Sequence, residues 1–339
     1  MCSVLIGDYA PIDSSDGCGM NLLNLRTKQW EEKLLNATAP LLGKKLGAPA
    51  ASHNVVGTVA GYFNSQYGLP TTTKVIAWSG DNPCSVAGLG LAAPGDVAVS
   101  LGTSDTIFGI LSTPAPGVEG HLFANPVDPA SYMAMLCYKN GSLTRERIKA
   151  QVTPTSTSWD NFNALLKSTP PGNQGSIGFY VDSPEITPAI PRAGVYRFGR
   201  DGKRVESFEP ATEARAVIEG QFISMRIHGE SVGLTGAKRL IATGGASANK
   251  AVLQVLADVF GAPVYVSTQT DSASLGAAVR ALQGAAISNN NGKFIPVGQL
   301  RGDKSSDLTL AVSPVATATA AYTALIPAYK KAEKEVCSL

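Results

Sequence analysis

Asp81 and Asn82, in WSGDNPCSVAG, stand between the apolar run Val75-Ile76-Ala77-Trp78 and a series of small residues. A carboxylate and an amide at such a junction have two readings. They can cap a helix, because Asp and Asn side chains accept from its unpaired N–H groups. They can also work on a hydroxylated substrate, the acid taking a proton and the amide anchoring a neighbouring oxygen. Pro83 has the backbone angle favoured at the first helical position, which puts Asp81 or Asn82 at or beside the N-cap. There the helix dipole favours an ionised carboxylate.

Two more loops keep this company. Gly102-Thr103-Ser104 joins the β-rich runs of GDVAVSLGTSDTIFGIL. An unhindered glycine and two hydroxyls can aim N–H and O–H donors at phosphate oxygens. Gly244-Gly245 ends the apolar Leu240-Ile241-Ala242 and lets a flat ligand approach the backbone closely. Ligands of α/β sheets settle at such strand ends. Together the three loops point to one cleft for a phosphorylated ligand.

The elements that must position these loops alternate between strand-like and helical patterns, so the fold class is α/β. VIAW predicts a short buried strand leading into the Asp81 helix, and residues around Gly102–Ser104 predict a hairpin or sharply bent strand. In KRLIATGGASANKAVLQVLADVFGAPVYVS, a strand and a tight loop precede a helix from Asn249, with Val252, Leu253, Val255, Leu256, Val259 and Phe260 at helical spacing. Gly261 and Pro263 stop that helix, VYV begins a strand, and DSASLGAAVRAL follows as a closely packing helix. Residues 150–210, rich in Pro, Gly and Ser, read as irregular surface structure around GFYV and GVYRF. The turn-rich GDYAPIDSSDGCG leads into the helical TKQWEEKLLNAT, and an amphipathic helix closes the chain. A boundary near residue 72 divides 1–72 from 73–339.

Composition narrows the function. The 339 residues suit two domains or one large one, and 16% are charged, against about 25% in an average domain. The net charge is +2, with Lys and Arg scattered, so a nucleic-acid partner is not expected. There is no 18-residue apolar run for a membrane span, and the start lacks the pattern of a signal peptide. With five widely spaced cysteines and no CxxC, reduced thiols in the cytoplasm are the expectation. The three histidines, His53, His121 and His228, lie far apart, so no protein-held metal is expected.

Rival chemistries fail on context. Gly229-Glu230-Ser231-Val232-Gly233 fits the nucleophile-elbow spacing, but the preceding EARAVIEGQFISMRIHG is helical in pattern and no histidine follows Ser231. Neither a P-loop nor a strand-following G-x-G-x-x-G occurs. Arg301-Gly302-Asp303 reads as an exposed turn.

SGDNPCSVAGLGLAAPGDVAVSLGTSDT, NPVDPASYMAMLCYKNGSLTRERI and IATGGASANKAVLQVLADVFGAPVYV resemble the carboxyl-terminal portion of xylulose kinases of eukaryotic type. These are FGGY carbohydrate kinases of the actin/hexokinase-like superfamily, and the resemblance runs from about Ile6 to about Gln283. It implies a ribonuclease H-like carboxyl-terminal lobe preceded by a remnant of the amino-terminal lobe. It implies that Asp81 is the general base toward a ketose hydroxyl and that Asn82 holds the sugar. Gly102, Thr103 and Ser104 match the turn lining the phosphate path; Gly244, Gly245, Ala246 and Asn249 match the nucleotide-binding loop. Trp159 matches a tryptophan near the adenine; otherwise it reads as an apolar plug under a loop. Asp16, in SSDGCGM, has a structural role by default.

The implied reaction is ATP plus D-xylulose giving ADP and D-xylulose 5-phosphate, with Mg²⁺ bridging phosphate oxygens. The family's Asp-x-Gly-Thr phosphate loop does not occur here, and about the first two hundred residues of such a kinase are not matched. The alternative expectation is a truncated, catalytically incompetent fragment or pseudoenzyme that at most binds nucleotide. A face left by the missing lobe would favour self-association.

Overall fold

The apolar alternation noted in the sequence builds the centre of the molecule. The computed structural model describes residues 1–267, 271–301 and 307–339, with side chains on all of these but 301. Seven strands form the main sheet: β1 Asp96–Leu101, β2 Asp105–Leu111, β3 His121–Ala124, β4 Tyr132–Tyr138, β5 Arg239–Thr243, β6 Val264–Ser267 and β7 Leu308–Val312. Their order is β7-β6-β5-β1-β2-β4-β3. β5 runs parallel to both β1 and β6, and the other pairings are antiparallel.

Side chains leave a strand on alternate sides. Val97, Val99, Leu101, Ile107, Leu136, Leu240 and Ala242 enter one core layer, while Ala98, Phe108, Met133, Met135 and Ile241 enter the other. The helices used below are α1 Ser14–Gly19, α2 Asp81–Gly88, α3 Ser142–Val152, α4 Asp160–Ser168, α5 Pro210–Ser231, α6 Lys250–Phe260, α7 Ser272–Asn289 and α8 Ala316–Cys337. The first layer takes its other half from α5, α6 and α8, with Phe222, Leu256 and Tyr329 among the buried residues. Val86 and Ala87 of α2 and Val279 of α7 cover the second.

α2 and α7 approach so closely that only glycine fits at their crossing. A Cβ on Gly88 would lie 1.8 Å from the Ser272 carbonyl oxygen, and one on Gly276 would lie 1.8 Å from that of Cys84. The small-residue patterns of both helices are used for this contact.

Much of the expected framework is present. β1 and β2 are a hairpin around Gly102–Ser104. β5, α6, β6 and α7 follow in the expected order, with Gly261 ending α6 in a left-handed conformation at φ 67°. α8 docks through Tyr322, Leu325, Tyr329 and Val336. Ser231 is the last residue of α5, and its hydroxyl donates to the His228 carbonyl, which leaves no nucleophile elbow.

Other expectations need correction. The strand expected ahead of Asp81 is present as Lys74–Ile76, and it pairs with Val55–Thr58 outside the main sheet. Residue 72, where a boundary was expected, lies in the connection between these two strands. α2 begins at Asp81 with Gly80 as its cap, so Pro83 is its third residue rather than its first. The 150–210 region holds α4 as well as the strands Ile177–Val181 and Gly194–Phe198, and the turn-rich start holds α1. Gly302 and Asp303 lie outside the described residues.

Candidate functional site

Because Ser100 pairs with Thr243, β1 and β5 end side by side, and the loops Gly102–Ser104 and Gly244–Gly245 leave the sheet together. Gly244 has φ 82°, and a Cβ there would lie 2.5 Å from the Leu101 carbonyl oxygen. Glycine is required by both the conformation and the closeness of the loops. At this end of the sheet opens a cleft of about 830 Å³, lined by Gly102, Thr103, Trp159, Gly245, Ala246 and Asn249. Ser104 and Gly244 shape its loops without forming its wall. Six of the expected site residues thus meet in one cavity.

Each wall has a local cause. Asn249 caps α6: its Oδ1 accepts from the N–H groups of Ala251 and Val252 at 3.0 and 3.4 Å. Its Nδ2 donates to Asn163 Oδ1 of α4 at 2.9 Å, which ties the two sides of the cleft together. Trp159, just before α4, packs edge-to-face on Phe162 at 5.2 Å, with the Lys149 ammonium 5.6 Å from its ring centroid. It serves as an apolar plug and as a cleft wall at once.

Beneath the Gly102–Ser104 turn lies a pair that the sequence reading missed. Arg145 of α3 donates to Asp105 from Nη1 and Nη2 at 2.6 and 3.0 Å, and from Nη1 to Gln221 at 2.9 Å. Asp105 and Arg145 are 0% and 1% exposed. Burial pushes the Asp105 carboxyl above its ordinary value, and the two Arg145 hydrogen bonds oppose that rise. A signal did exist: Arg145 shares the buried side of α3 with Thr144 and Ile148, and an arginine there needs a counter-charge. Ser142, Glu146, Asn163, Lys167 and Lys250 are further cleft residues not foreseen.

Asp81 stands apart from this cleft. Its side chain is exposed, and its Oδ1 accepts from the N–H and Nδ2 of Asn82 at 2.7 and 3.2 Å. After burial, the charge of Asp81 is the next cause raising the Cys137 thiol. Cys137 is paired with Thr106, next to the Gly102–Ser104 turn, but belongs to the α2/α7 side of the sheet. Asp81 and Asn82, at the start of α2, therefore belong to the face of the sheet opposite the cleft. Asp16, expected to be structural, accepts the Gly80 N–H on Oδ1 at 2.8 Å.

Among the described residues, no group of three or more His, Cys, Asp and Glu side chains could hold a metal ion, and no helix is long and apolar enough to cross a membrane. All five cysteines are free thiols.

Xylulose kinase of Mus musculus is 48% identical over 338 residues, covering 99% of this chain and 60% of that protein. Xylulose kinase 2 of Arabidopsis thaliana is 45% identical over 322 residues, covering 91% and 57%. The chain thus spans about 60% of the length of these relatives. The crystal structure of xylulose kinase from Rhodospirillum rubrum superimposes with a TM-score of 0.80 over 98% of this chain and 66% of that one. At 20% identity it supports the fold alone: the actin/hexokinase-like α/β architecture. The C-terminal domain of the FGGY family of carbohydrate kinases matches residues 97–285, which include β2 to β6, nearly all of β1, both glycine loops and the cleft, and the chain belongs to that family.

Proposed function

We propose that this chain is the carboxyl-terminal part of an ATP-dependent carbohydrate kinase that converts D-xylulose to D-xylulose 5-phosphate, with Asp81 as general base. The observation that carries the reading is the cleft gathering Gly102, Thr103, Trp159, Gly245, Ala246 and Asn249. The sugar assignment draws on the two xylulose kinase relatives.

In this reading the adenine lies against Trp159, and the phosphates run along Gly244–Ala246 toward the N–H and hydroxyl groups of Gly102–Ser104. The ketose sits at Asp81 and Asn82. Asp81 accepts the proton of the 5-hydroxyl as its oxygen bonds to the γ-phosphorus. The bond from that phosphorus to the bridging oxygen breaks, and its electron pair leaves with ADP. A carboxylate suffices as base because the transition state is loose and proton transfer comes late. The described residues offer no donor set for Mg²⁺, so it would arrive on the nucleotide's phosphates; no step is assigned to it.

A second reading is a chain that binds nucleotide without turnover. It is favoured by the Asp81 carboxylate folding onto Asn82 of its own helix. ADP release on adding D-xylulose to the natural full-length protein separates the two. Asp81→Asn is expected to lower kcat at least about 10²-fold while ADP affinity, by calorimetry, stays within about twofold. Near-normal turnover in that variant would refute the base.

A further inference from the structure

We propose that Asp16, backed by Asp13, is a positioning residue for Asp81; this rests on the reading of Asp81 as the base. The two residues immediately before Asp81 are each held by a carboxylate from the far N-terminal segment. Asp16 Oδ1 accepts the Gly80 N–H at 2.8 Å. Asp13 caps α1 by accepting the Asp16 N–H on Oδ1 at 2.7 Å. Its Oδ2 accepts the Ser52 hydroxyl at 2.5 Å and the hydroxyl of Ser79. Arg280 of α7 closes the frame, donating from Nη2 to the carbonyls of Ala77 and Ser52 at 3.1 and 2.7 Å. Its guanidinium stands 3.8 Å from Asp13 Oδ2. Positions 77, 79 and 80 are therefore pinned by partners distant in sequence.

Two features separate this frame from an ordinary joint. First, α2 has no cap of its own, because Gly80 at the cap position carries no side chain. An ordinary helix start is oriented by its capping side chain; here the orientation of the first turn comes from Asp16. Second, the frame places two acids together. Asp13 is 1% exposed, and Asp16 is raised from its ordinary value by burial and by the Asp13 charge, with Asp81 adding to the rise. A neutral acceptor would hold a loop with less electrostatic opposition. The acids instead form a rigid acceptor pair one residue from the reacting group, and an error of about 1 Å in such a group can lower a rate about 10²-fold.

The test uses the natural full-length protein. Asp16→Ala is expected to lower kcat about tenfold or more with the KM for ATP within about twofold. Asp16→Asn, whose Oδ1 still accepts from Gly80, should recover most of that loss. Hydrogen exchange at the Gly80 amide should quicken in Asp16→Ala and not in Asp16→Asn. Should Asp16→Ala fail to fold, Ser79→Ala removes one bond from the same turn and should lower kcat a few-fold at unchanged KM for ATP. If Asp81→Asn is inactive while Asp16→Ala or Ser79→Ala keeps wild-type kcat, the positioning role is overturned and the base stands. If Asp16→Asn is as impaired as Asp16→Ala, the Gly80 hydrogen bond is not what matters and the proposal fails. Near-normal turnover in Asp81→Asn overturns both readings.

Discussion

The proposed nucleotide cleft and the Asp81 turn lie on opposite faces of one sheet and are held there by different means. The cleft is made by the sheet itself: adjoining strand ends, a hairpin turn, and a helix capped by its own Asn249. Among its supports distant in sequence are the Asp105–Arg145 pair under the turn and the Asn249–Asn163 hydrogen bond. The Asp81 turn follows a strand outside the main sheet and is pinned by Asp13, Asp16 and Arg280. One half is built by backbone pairing, and the other is hung from buried charges. The consequence is that the two halves should fail separately.

The largest effect is expected where the cleft depends on its buried pair. Arg145→Ala strips the buried Asp105 carboxyl of its counter-charge, which should destabilise the protein by about 3–5 kcal/mol. Denaturant unfolding measures the loss, and ADP affinity should fall with it. A change under about 1 kcal/mol would mean that the turn does not rest on this pair. Next comes Trp159→Ala, which removes both the cleft wall and the contact on Phe162. ADP affinity should drop about tenfold, in line with base stacking on an aromatic side chain. Because the Asp81 turn is held independently, hydrogen exchange at Gly80 should stay unchanged; a rise there would erase the contrast between the halves.

The smallest effect lies away from both. His228 of α5 sits between Glu119 at 2.6 Å and Glu333 of α8 at 3.1 Å. Burial works against its charge, but the Glu333 and Glu119 carboxylates outweigh that and raise its pKa. The native state therefore holds a proton that the unfolded chain releases between the ordinary value of about 6.5 and the raised one. Stability from this group is full below about pH 6.5 and fades as pH rises through the raised value. His228→Gln should flatten that slope in pH-dependent thermal unfolding without altering ADP affinity. An unchanged slope would assign the pH dependence to other groups.

How much of this was legible follows the same division. Apolar periodicity and glycine placement marked the hairpin, α6 and its stop at Gly261, because those elements bury or bend according to their own residues. The family motifs pointed to cleft residues that do meet in the cavity. α4 escaped notice because Asp160–Ser168 is short and follows a Pro/Ser/Thr-rich stretch, although Phe162, Leu165 and Leu166 pack on the core. The pairing of strand Lys74–Ile76 with Val55–Thr58 was not legible, because apolar runs do not announce their partners. Arg145 was passed over as one of many scattered cations.

Along the chain, residue types alone settled where backbone must bend and which faces must be dry: steric freedom at glycine and the exclusion of apolar groups from water act within a few residues. Folding alone decided that Asp105 finds Arg145, that Asp13 finds Ser79, and that Gly88 and Gly276 bring α2 and α7 into backbone contact. Those choices belong to tertiary structure because a buried charge or a close helix crossing is tolerable only once its partner is in place. No local pattern encodes which distant residue that partner will be.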